Sequence, residues 1–143
     1  MASGYRVIVP TCDGRGAVHS FQGVSWIDSS KRWPKGVDNR GLMFANKAVR
    51  AMLREQTPFA TLLIVEGVID YLTAHSLWDL PILGIFAGSD SALADIRLSD
   101  DAIVYFGTHL DAGAGLSYQD RVSSLLRHPV RRIPFEVANE RPE

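Results

Sequence analysis

The chain has 143 residues, 46% of them hydrophobic and 22% charged, with a formal net charge of −1. That is one domain's worth of chain with enough apolar mass for a core, and the charge balance excludes nucleic-acid binding through overall charge. A lone cysteine, Cys12, excludes an internal disulfide framework or a zinc site of the usual kind.

From the amino end, YRVIVPTCDGRGAVHSFQGVSWI reads as a hairpin. Two β-rich runs flank DGRG, whose glycines can take positive φ. The following DSSKRWPKGVDNRG is too rich in turn formers and charge for a regular element. From Ala45 to Gln56, apolar Ala45, Ala48, Val49, Met52 and Leu53 fall on one helical face, and Thr57-Pro58 ends the run. Beyond it strands and helices alternate. TLLIV, PILGIF, AIVYF and VRRIPF read as strands, with helices over 68–77, 90–98 and 116–126 between them. Continuous apolar strands separated by helices predict a parallel sheet covered on both faces.

The expected fold is therefore α/β, about four parallel strands flanked by helices and preceded by a small β-rich subdomain. The expected division is a β-rich part with a basic linker over 1–44, an α/β domain over 45–136 and a polar tail over 137–143. The apolar runs are only strand-length and no signal-peptide core is visible, so the sequence predicts a cytoplasmic protein without a membrane partner.

Three strands carry notable residues at their carboxyl ends, where α/β proteins place chemistry. They are Glu66-Gly67 in LLIVEGVIDYL, the AGSD turn at 87–90, and GTHLDAGAG at 107–115. Two carboxylates about 4 Å apart repel by roughly 4 kcal/mol at an effective dielectric of about 20, so a convergent Glu66 and Asp111 would need a cation or a raised pKa. A divalent metal meets that need and explains why oxygen ligands would gather. Each residue also has an ordinary structural use. Glu66 suits a helix amino end, Asp70 sits inside a helix as a structural residue, and Asp90 suits a helix cap. Gly113 and Gly115 suit a turn, or a helix start whose free N–H groups take phosphate.

LLIVEGVIDYL, followed by IVYFGTHLDAGAG, resembles the Toprim domain of topoisomerases, primases and related nucleases. RVIVPTCDGRGAVHSFQG, KRWPKGVDNRGLMF and GIFAGSDSAL narrow the resemblance to bacterial DnaG-type primases, over about residues 5–135. The resemblance implies a Toprim fold and metal-dependent nucleotidyl transfer making RNA primers. By that resemblance Glu66 and Asp111 are catalytic, and Glu66, His109 and Asp111 hold Mg²⁺ or Mn²⁺. Asp70 supports them, while Gly67, Gly88, Ser89, Gly113 and Gly115 contact phosphate or nucleotide.

His109 stands where the family has an aspartate, which removes one negative charge and favours a softer ion than Mg²⁺. The glycine spacing after Asp111 also departs from the family pattern. Both point to a divergent member of the kind found in mobile elements. Lys31, Arg32, Lys35 and Arg40, with Trp33 interleaved and Arg6 and Arg15 nearby, form the expected contact with single-stranded template. Twelve of the 15 cations are arginine, the better phosphate fork.

The implied partners are single-stranded DNA, nucleoside triphosphates, and a replicative helicase or separate zinc-binding region. No zinc-ribbon cysteines occur in this chain, which implies a fragment or a protein leaning on such partners. Two rival readings use the same residues: a metal-dependent Toprim nuclease, and a catalytically weakened nucleic-acid or nucleotide binding module.

Overall fold

A computed structural model describes residues 5–25, 27–86, 89–109 and 114–135. The hairpin strands β1 (Tyr5–Cys12) and β2 (Val18–Ser25) are antiparallel. Their turn is closed by Asp13, whose Oδ1 accepts from the N–H groups of Arg15 at 2.9 Å and Ala17 at 3.1 Å. Gly16 sits there at φ +82°, and a Cβ on it would lie 2.4 Å from the Arg50 carbonyl oxygen. Glycine is required both for the left-handed backbone and for the close approach.

The segment expected to be wholly irregular contains two short strands. β3 (Lys31–Arg32) pairs with Gly23 and Val24 of β2, using backbone groups that an edge strand would otherwise leave open. β4 (Met43–Ala45) is buried throughout and pairs antiparallel with both β1 and a later strand.

Helix α1 (Lys47–Glu55) starts two residues later than the apolar pattern suggests. Ala45 belongs to β4, and the Asn46 side chain caps the helix by accepting from the Val49 N–H at 2.8 Å. Then follow β5 (Phe59–Glu66), α2 (Val68–Leu77) and β6 (Ile82–Ile85). The helix expected over 90–98 is a 3₁₀ turn, Asp90–Asp95; Ile96 is already extended, and β7 (Leu98–His109) begins at once. Helix α3 (Ala114–Leu126) and β8 (Arg131–Phe135) complete the described chain.

All eight strands form one sheet, in the order β3-β2-β1-β4-β6-β5-β7-β8. The expected parallel arrangement is therefore only part of a mixed sheet, because β4 pairs antiparallel with β6 and carries the amino-terminal strands into the same sheet. The pairs β5–β6, β5–β7 and β7–β8 are parallel.

Side chains alternate across this sheet. Leu62 and Ile64 of β5 pack with Val49 and Leu53 of α1 and with Val122 and Leu126 of α3. Leu63 and Val65 pack on the other face with Val68, Tyr71 and Ala74 of α2. With both faces apolar, alternation alone does not fix the register of β5. A one-residue slip would instead carry the Glu66 carboxylate into the fully buried place of Val65, and an unpaired buried charge is costly enough to forbid it. Among the described residues no helix is long and apolar enough to cross a membrane.

Candidate active-site edge

Parallel strands present their carboxyl ends on one side. β5 ends with Glu66 opposite Ile85 of β6, and on its other flank Val65 pairs with Gly107 of β7. Glu66 and the segment leaving β7 therefore emerge from neighbouring strands at the same edge. Glu66 follows Ile64 by two residues, so its side chain belongs to the α1/α3 face. It is partly exposed.

Gly67 bends the chain from β5 into α2 at φ +87°, with open space where a Cβ would be. Its requirement is thus purely conformational. Its N–H is donated to the Ile85 carbonyl at 2.6 Å, which leaves no free amide there for phosphate. Asp70 lies in the first turn of α2, where a carboxylate complements the helix amino end.

Ser89 is fully buried and closes its own turn. Its hydroxyl donates to the Phe86 carbonyl at 2.8 Å and accepts from the Phe86 N–H at 2.9 Å. Gly88, Asp111 and Gly113 lie outside the described residues. The His109 backbone ends β7 opposite Phe135, and Gly115 is in the first turn of α3.

The cap position of the 3₁₀ turn is taken by Ser89, and Asp90 is the first residue inside it. Asp90 is 2% exposed and faces Arg121 of α3. The Arg121 Nε lies 2.5 Å from Oδ2 as a charge contact, and Nη2 reaches Oδ1 in a longer bond of 3.4 Å.

One turn before Arg121, Tyr118 packs at a tilt against Phe106 of β7, with ring centroids 5.6 Å apart. Its hydroxyl is buried without a hydrogen-bond partner among the described residues. Burial pushes the Tyr118 pKa up to about 12, and the negative charges of Asp90 and Glu66 add to that against the opposing Arg121. The end of β5, the turn after β6 and helix α3 thus bring Glu66, Asp90 and Arg121 within electrostatic range of Tyr118.

Sequence reasoning passed over Tyr118 and Arg121. Counting apolar positions along α3 does not register a polar pair, although their three-residue spacing puts them on one face. Among the described residues no group of three or more His, Cys, Asp or Glu side chains could hold a metal ion. The Glu66, His109 and Asp111 set extends beyond those residues. As a donor set it offers two carboxylates and an imidazole, which suits Mg²⁺ or, better, Mn²⁺.

The basic linker runs past this edge. Trp33 stacks on Phe44 at 6.0 Å and contacts Phe86 at 4.9 Å, so its ring joins the core beside α2. That contact, and the position of Gly41 where a Cβ would lie 3.7 Å from Ser91 Oγ, sets the linker against the turn carrying Ser89 and Asp90. Lys31, Arg32 and Lys35 are exposed, as is Arg15 at the hairpin turn. The side chain of Arg6 lies outside the described residues. Arg40 is paired with Asp38, Nη2 to Oδ2 at 2.7 Å, and these bonds hold the Asp38 carboxyl down at about 2.

A concavity of about 640 Å³ lies at the opposite edge, lined by Asp100, Asp101, Arg127, His128 and Arg131. It is remote from Glu66, since it flanks the amino-terminal half of β7. No protein-family model, curated protein or solved structure matches this chain.

Proposed function

We propose that the chain is all or part of the catalytic core of a DNA primase-like nucleotidyltransferase of the Toprim kind. Its reaction is RNA primer synthesis on single-stranded DNA. The observation that supports this most is the parallel pairing of β5 with β7, Val65 opposite Gly107. It brings the end of β5 at Glu66 and the end of β7 at His109 to one edge, which is the arrangement that the resemblance implies. The contiguous parallel strands β6-β5-β7-β8 serve as the Toprim core, and the antiparallel strands as the primase-like front.

Glu66, His109 and Asp111 would hold Mg²⁺ or Mn²⁺, which when bound neutralises charge at the phosphorus under attack. Glu66 can also accept the proton of the attacking 3′-hydroxyl, because it is partly exposed at the end of a rigid strand. Lys31, Arg32 and Lys35 supply phosphate contacts to the template, extended by Arg6 and Arg15. A replicative helicase or a separate zinc-binding region would supply template selection.

Single-stranded template, nucleoside triphosphates and Mn²⁺ or Mg²⁺ should yield short RNA primers, and Glu66→Gln should abolish them. Phosphodiester cleavage without added nucleotides would replace this reading with a nuclease. Single-strand binding indifferent to EDTA, with no synthesis, would replace it with a binding module.

A further inference from the structure

Arg121 and Asp90 have a place in this edge that the family resemblance does not give them. The Asp90 side chain is 3% exposed while that of Arg121 is 65% exposed. A buried carboxylate thus grips one side of a guanidinium whose other side faces solvent. The contact uses Nε and Nη2, and Nη1 has no partner among the described residues. A structural ion pair needs no such asymmetry. A guanidinium fixed along one edge, with its remaining N–H donors outward, is what bidentate capture of phosphate oxygens requires. The rotamer entropy of a long cation is already lost before the anion arrives.

The location supports the same role. Asp90 follows β6, whose last residue Ile85 pairs with Glu66, and Arg121 reaches it from α3. Arg121 is therefore held by a group in the turn that follows the strand end beside Glu66. Asp90 and Arg121 are 31 residues apart in sequence, so the pairing is a tertiary feature.

We infer that Arg121 binds the polyphosphate of the incoming nucleotide, and that Asp90 is the positioning residue that holds its guanidinium in place. This deepens the proposed function and rests on it only for the identity of the anion.

The test is calorimetric titration of pyrophosphate in EDTA, which removes any metal contribution. Wild type should bind. Arg121→Lys keeps the charge and loses the fork, and should weaken binding by about tenfold. Asp90→Asn is the discriminating variant. Removing a negative charge near an anion site should by electrostatics alone tighten binding; loss of a positioning residue should weaken it, by about threefold or more. The double variant D90N/R121Q leaves no unpaired buried charge, so it should keep the wild-type circular dichroism spectrum, and it should not bind pyrophosphate.

Tighter binding in Asp90→Asn, wild-type affinity in Arg121→Lys or in the double variant, or no binding by wild type would each overturn the inference. Such a result beside Glu66-dependent Mn²⁺ binding would leave the proposed function standing. Mn²⁺ binding that ignores Glu66 would remove the proposed function and leave the anion contact to be judged on the pyrophosphate result.

Discussion

The two halves of the sheet pair their charged groups differently. In the antiparallel half, the ion pairs lie between near neighbours in sequence. Asp13 closes the turn that contains it and contacts His19 at 2.7 Å, and Asp38 pairs with Arg40. In the parallel half, Glu66, Asp90, Tyr118 and Arg121 come from three separate elements, and the ion pair of Asp90 with Arg121 joins groups 31 residues apart. Local satisfaction builds a scaffold. Convergence of charge from distant elements, at a free-energy cost in burial, is the pattern of a functional site. The halves meet at Phe44, which pairs with Gly84 and stacks on Trp33 and Tyr71.

Phe44→Ala should have the largest effect. The ring is fully buried at the seam, and its loss should cost about 3–5 kcal/mol. Both halves should unfold in one transition, with tryptophan fluorescence and far-ultraviolet circular dichroism coincident in urea. Separate transitions would show that the halves are independent units.

Alkaline pH should come next. Burial pushes the Cys12 thiol from 9.0 up to about 11, with Arg50 opposing. The native state therefore keeps a proton that the unfolded chain releases. That contribution is complete below about pH 9 and lost as pH rises to 11, a two-unit shift worth up to about 3 kcal/mol. Urea midpoints between pH 8 and 11 should fall in wild type and fall less in Cys12→Ala. Equal slopes would remove Cys12 as the cause.

Asn46→Ala should cost about 1 kcal/mol by uncapping α1, read as a lower thermal midpoint. Arg40→Ala should be the smallest change. Its pair with Asp38 is exposed on both sides, and the unfolding midpoint should stay within error of wild type. A clear loss there would mean that the linker is more tightly integrated with the sheet than its exposure implies.

Much of this arrangement was legible in the residues, and the failures have physical causes. The expected helix over 68–77 coincides with α2, because an apolar strand, a glycine and a polar-flanked helix leave few alternatives. β4 is only three residues long, too short for periodicity to register, and is defined by partners on both sides. The start of β7 carries Ser99, Asp100 and Asp101, polar residues left outside the expected AIVYF strand, but they extend it back to Leu98 beside Phe59. Glu66 stood out because a carboxylate closing an apolar strand breaks the local pattern. Arg121 and Tyr118 did not, because their significance depends on Asp90 and Phe106, which only the fold brings near.

The most direct test of the account is Mn²⁺ titration by calorimetry of the wild-type chain and Glu66→Gln. If the strand-end edge is a divalent-ion site, wild type should bind Mn²⁺ and the variant should bind at least tenfold more weakly, a loss of about 1.4 kcal/mol or more. Equal affinity in the two proteins would contradict the account, because the β5 carboxylate would then have no part in holding an ion.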